Sequence, residues 1–243
     1  VTSTSERRNY RDAVARLAAA QKPGAGVPAY LRWVNRGLGR RAAAVAYVLR
    51  LSPNQVTLLS GILSVAGMLV LALAPPSPAA AVGASLLLLG GYALDSADGQ
   101  LARLTGSGSL AGEWLDHVVD AARLPLFHVA VLVFLVRAGE PLVFVSTAAA
   151  FALLSSVWFF AQTLAEKLTP GGEVPRADAP VWLSFAKLPY DVGVTYLIVA
   201  TSAWMPVFLT AYVALFLFTA GVAALSLVRK YRALGAGVRA PVA

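Results

Sequence analysis

The chain contains no cysteine in its 243 residues. That excludes a disulfide framework, a thiolate metal centre and a cysteine nucleophile. Charge is scarce as well. Only 13% of residues are charged, about half the share of an ordinary soluble domain. Acids are the scarcer sign, 12 against 20 basic residues, for a net charge of +8. Between Leu51 and Leu94 there is no charge of either sign. The N-terminus is polar and lacks an early apolar core, so no signal peptide is expected.

What is present is apolar. Hydrophobic residues make up 58% of the chain and the mean hydropathy is +0.69. A basic soluble protein would be read as a nucleic-acid binder, but long uncharged runs have no solvent-compatible fold, and that class is rejected. Ten of the basic residues precede Ser52. Basic residues beside apolar spans mark the cytoplasmic side and attract anionic lipid.

A helix needs about 20 apolar residues to cross a bilayer. On that ruler the first span runs from Val56 to Ala74, ending at Pro75-Pro76-Ser77-Pro78, and the second from Ala79 to Leu94, continuing into Asp95–Arg103. The uncharged part of the third, Leu124–Val136, is too short alone. It reaches spanning length only if its helix begins near Leu110 and carries Glu113, Asp116 and Asp120 inside it. Pro141–Ala165, Lys187–Trp204 and Pro206–Val228 complete six spans.

The fold class expected is an all-α integral membrane protein, with a polar tail over 1–26 and an amphipathic interfacial helix over 27–51. A six-helix catalytic domain over 52–230 and a cytoplasmic tail over 231–243 complete it. A cytoplasmic N-terminus places Arg103, Lys167, Arg176, Arg229, Lys230 and Arg232 inside, and only Arg137 departs from the positive-inside rule. The inner, plasma membrane is the expected location. The Thr169–Pro180 connection is the longest between spans and the expected mobile element.

Five of the twelve acids lie between Asp95 and Asp120. An ionised carboxylate at membrane depth costs roughly 2.5–3.5 kcal/mol on insertion scales. Arg103 and Arg123 are too few to pair five acids, whereas divalent ions would supply the missing charge. Asp95, Asp98, Gly99 and Ala102 share one face of the second helix, and Gly112, Asp116 and Asp120 recur at i, i+4, i+8 on the third. A short turn makes the two helices antiparallel neighbours. Carboxylate oxygens are hard ligands that favour Mg²⁺ or Mn²⁺. The small residues leave room for a nucleotide or pyrophosphate, or merely let helices pack closely.

The string Asp95-x2-Asp98-Gly99-x2-Ala102-Arg103-x8-Gly112-x3-Asp116-x3-Asp120 resembles the signature of the CDP-alcohol phosphatidyltransferase family at all eight fixed positions. The resemblance implies that Asp95, Asp98, Asp116 and Asp120 hold one or two ions, with Asp120 also the catalytic base. It implies CDP binding by Asp95, Asp98, Gly99, Ala102, Arg103 and Gly112, with Asn54 and Thr57 added from a similar segment opening the first span. Asn54 is read alternatively as a plain helix cap. CDP-diacylglycerol or a related CDP-alcohol is the implied donor, a hydroxyl compound the acceptor, CMP the by-product and a homodimer the assembly.

A phosphorylated acceptor would need cations, for which Arg123 and Lys187 are the candidates. Lys187 is also read as pairing with Asp191. Gly112-Glu113 and Asp116-His117 look like the aminoalcohol phosphotransferase branch, which moves phosphocholine or phosphoethanolamine onto diacylglycerol. Val118 departs from that branch. A divalent-cation transporter using the same acids is the non-enzyme alternative, weakened by the placing of the acids at one end of the bundle.

Overall fold

The computed structural model describes residues 9–21, 23–24, 26–169 and 180–237. It is all-helical, with no strand among the described residues. Helix α1 spans Tyr10–Ala19. A π-helical turn, Tyr30–Asn35, leads directly into α2, Arg36–Val48. Then come α3, Pro53–Leu73; α4, Pro78–Thr105; α5, Leu110–Arg137; and α6, Leu142–Leu168. The remainder is α7, Val181–Ala186; α8, Val192–Ile198; and α9, Met205–Gly237. Five of these (α3, α4, α5, α6 and α9) are long and apolar enough to cross a membrane. The expected mobile connection lies largely outside the described residues, at 170–179.

Local chemistry sets where the long helices begin. Ser52 accepts from the Gln55 N–H while the Gln55 side chain accepts from the Ser52 N–H at 2.8 Å, a reciprocal cap with Pro53 in the first turn. Helix α3 therefore starts three residues before the apolar run, and Asn54 lies inside its first turn instead of capping it. Ser77 and Ser109 cap α4 and α5 in the same manner, each accepting from the N–H three residues on. Helix α5 is continuous from Leu110 to Arg137, through Pro125, so its acids sit within a membrane-length helix as its sequence requires.

The expected fifth span is not one helix. Lys187–Trp204 divides into a 3₁₀ turn at Leu188–Tyr190, the seven-residue α8 and a second 3₁₀ turn at Val199–Thr201. Pro189 supplies no N–H, and Asp191 is extended and restarts the helix by accepting from the Gly193 N–H at 2.9 Å. The Asp191 carboxylate also accepts from the Leu31 N–H at 2.8 Å. A side chain at Gly193 would come within 2.1 Å of the Tyr30 ring, so only glycine permits this close approach. From there the chain reaches Ser202, which shares a small cleft with the Ala74–Ser77 turn at the other end of the bundle.

The main core runs along the bundle through Leu88, Phe127, Val131, Tyr196, Phe208 and Tyr212. A second core joins Ala13 and Leu17 of α1 to Ala43, Ala44, Val56 and Leu101, seating the N-terminal helix on α2, α3 and α4. One face of α2 is thus buried. The other exposes Leu38, Val45 and Val48, preceded by Trp33 and Val34.

Candidate active site

Helices α4 and α5 are joined by the four-residue turn Gly106–Ser109, so their acid-bearing ends lie side by side. One carboxylate oxygen each from Asp95, Asp98 and Asp116 falls within 4.8 Å of the other two. Three hard oxygen donors at that spacing, in a half-buried setting, fit a divalent cation of the Mg²⁺ or Mn²⁺ type. Asp98 is 5% exposed. Its carboxylate is held from α3, where the Thr57 hydroxyl donates to it at 2.6 Å, and from its own helix by the Gly99 N–H.

Asp120 is not one of the three that converge. The Arg123 guanidinium, 5% exposed, donates through Nη2 to both Asp120 and Asp95, the latter at 2.7 Å. Its Nη1 donates to the Ser60 hydroxyl at 3.1 Å, and Ser60 donates to the Gly91 carbonyl at 2.8 Å. Arg123, the expected acceptor cation, is built into the carboxylate cluster. Lys187 donates to the Gly26 carbonyl at 2.6 Å, tying the start of the 3₁₀ turn to the segment before α2.

A cavity of about 520 Å³ opens on the Asp98–Asp116 side. Asn54, Thr57, Gly99, Ala102, Arg103 and Gly112 line it with those two acids. A methyl group on Gly112 would sit 3.0 Å from Asn54 Oδ1 and 3.2 Å from Ser109 Oγ, so a larger residue there must push those side chains aside. Glu113 also lines it and is ion-paired with Lys167 of α6. Arg36, near the site end, is held below the ordinary guanidinium range by burial first, then by the like charges of Arg103 and Arg32.

A second cavity, about 310 Å³, is walled by apolar and aromatic groups. Tyr92, one turn before Asp95, and Leu124, one turn after Asp120, belong to its lining, as do Phe151, Trp158, Tyr190 and Tyr196. His128 donates to or accepts from Tyr212 at 2.7 Å and stacks on Phe151, a packing arrangement away from the carboxylates. His117 packs edge-on near Phe159.

The sequence reading missed Ser60 and the aromatic wall. Ser60 had a signal: Thr57, Ser60 and Ser64 form a polar stripe on an otherwise apolar α3, and all three are buried. The aromatic wall had none, because its residues come from four separate stretches of chain.

A family model described as CDP-alcohol phosphatidyltransferase matches residues 50–218. No curated protein matches the chain. The matched segment begins just before the α3 cap and contains both acid-bearing helices and both cavities' principal walls.

Proposed function

The chain belongs to the CDP-alcohol phosphatidyltransferase family, and from that premise we propose that it transfers a phosphatidyl group from CDP-diacylglycerol to a hydroxyl acceptor, releasing CMP. The observation that carries this reading is the convergence of Asp95, Asp98 and Asp116 at a polar cavity lined by Gly99, Ala102, Arg103 and Gly112. Membership makes the chain a transferase of substituted phosphate groups and leaves the transport alternative without support.

A divalent ion held by the three aspartates would neutralise charge on the pyrophosphate and the departing CMP. Thr57 fixes the Asp98 carboxylate in place. Arg103 faces the same cavity and is assigned to the pyrophosphate, with Asn54 and Gly112 bounding the nucleotide. Asp120, oriented by Arg123, takes the proton from the acceptor hydroxyl. The acceptor oxygen forms a bond to the β-phosphorus as the bond from that phosphorus to the bridging oxygen breaks, and CMP leaves with the electron pair.

The apolar cavity favours a second reading of which partner is the lipid. A hydroxyl delivered past Tyr92 and Leu124 would come on an apolar body such as diacylglycerol, with the water-soluble alcohol carried by CDP. That is the aminoalcohol phosphotransferase direction. In either direction the site end faces the cytoplasm, where CDP-alcohols are presented. Helix α2 and the π-helical turn before it lie on the inner leaflet with Leu38 and Trp33 towards lipid, and the Lys187–Trp204 segment completes a sixth crossing. A homodimer belongs to the same reading.

The deciding experiment supplies the purified chain with Mn²⁺ and two sets of substrates, and identifies the lipid product by mass spectrometry. One set is CDP-diacylglycerol with a panel of polar alcohols; the other is CDP-choline or CDP-ethanolamine with diacylglycerol. CMP release in the first set supports phosphatidyl transfer, and release in the second alone supports the reverse direction. No CMP in either removes the proposal.

A further inference from the structure

We propose that Arg123 occupies the place a second divalent ion would take, so that the site binds a single ion on Asp95, Asp98 and Asp116. The inference rests on the reading that these aspartates hold a divalent cation. It concerns what fills the gap between Asp95 and Asp120.

The guanidinium is positioned from three directions. Helix α5 sets it one turn from Asp120, α4 presents Asp95 to the same Nη2, and α3 anchors Nη1 through Ser60. At 5% exposure it has exchanged water for these partners. A buried arginine remains charged and donates in a fixed planar fork. An ion bridging Asp95 and Asp120 would have to displace that fork, leaving a buried cation beside the incoming one. Such a separation of a buried pair is strongly unfavourable.

Through its contacts with Asp95 and Asp120, Arg123 already supplies +1 against the −4 of the four aspartates, and one divalent ion leaves the cluster one unit from neutrality. The same contact gives Asp120 a different partner from the other three acids and keeps its carboxylate outside the ion's ligand set. Arg123 is therefore a positioning residue for Asp120 and the resident counter-ion of the cluster.

The test counts Mn²⁺ bound to the purified full chain in lipid nanodiscs, by titration with metal analysis and electron paramagnetic resonance. One Mn²⁺ per wild-type chain is expected. Arg123→Gln is expected to bind two, with the broadened signal of neighbouring ions, and Arg123→Lys, which keeps a cation, to stay at one. Asp120→Asn is expected to hold one ion with Kd changed by less than about twofold, where loss of a true ligand or its support costs about tenfold or more. The proposal is overturned by two ions in the wild type, by one ion in folded Arg123→Gln, or by a tenfold loss in Asp120→Asn. The last arm decides even where Arg123→Gln does not fold. Two ions in the wild type would leave the underlying metal reading intact. No ion in the wild type, or full Mn²⁺ affinity in Asp116→Asn, would remove that reading together with the inference.

Discussion

Asp98 and Asp120 are both carboxylates on the same pair of helices, yet their neighbours give them different work. Asp98 receives hydrogen bonds from Thr57 and Gly99 and lines the polar cavity. Asp120 receives Arg123. Replacing Thr57 with Val removes a hydrogen bond to a charged group, a change of about 1.5–3 kcal/mol. Mn²⁺ affinity measured by titration should fall by roughly 10–100-fold in Thr57→Val, and the unfolding temperature should fall as well, because a buried carboxylate loses its donor. In Asp120→Asn, CMP release should fall by about 10²-fold or more, with the protein still folded; ordinary turnover would show that another group takes the proton. The convergence of Asp95, Asp98 and Asp116 from two neighbouring helices was legible from spacing because an α-helix repeats its faces at fixed intervals. Arg123 was legible as a nearby cation but not as their partner, since its direction depends on Ser60 from a third helix.

At the scale of the helix, five long segments could be read from apolar length, whereas the serine caps that start α3, α4 and α5 are a finding of the structure. Ser52→Ala should lower stability by about 1 kcal/mol, read as a lower unfolding temperature in detergent, because it removes the hydroxyl that accepts from the Gln55 N–H and leaves only the backbone half of the α3 cap. The fifth segment shows what apolar length does not register. Its composition suits a span, but Pro189 and the Asp191 cap interrupt the hydrogen-bond ladder, and the pairing of Asp191 with Leu31 and of Gly193 with Tyr30 fixes the interruption in place. Those partners are some 160 residues apart in sequence, beyond any local pattern. Gly193→Ala should force Tyr30 outwards and loosen the segment before α2, measurable as faster proteolysis between α1 and α2.

For the whole molecule, the absence of cysteine becomes an experimental convenience. Single cysteines introduced at Ala138, in the exposed α5–α6 turn, and at Ser107, in the exposed α4–α5 turn, mark opposite ends of the bundle. A membrane-impermeant maleimide should label Ala138→Cys in intact cells and Ser107→Cys only after permeabilisation. The reverse pattern would turn the chain over and place the acids outside. This orientation is the one that the placement of basic residues leads us to expect. The apolar cavity was not readable, for its walls are drawn from the segment before α2, from α4, α5 and α6, from the 3₁₀ turn before α8, and from α8 and α9.

The turn between α4 and α5 is only four residues long, and every acid assigned to the transfer lies on the two helices it joins. The acids of the proposed centre thus come from a single hairpin, with Thr57 and Ser60 of α3 holding Asp98 and Arg123 in place. Much of the wall of the aromatic chamber beside it belongs to later helices. Changes in those helices can retune which alcohol is admitted while the machinery that hands over the phosphate stays as it is.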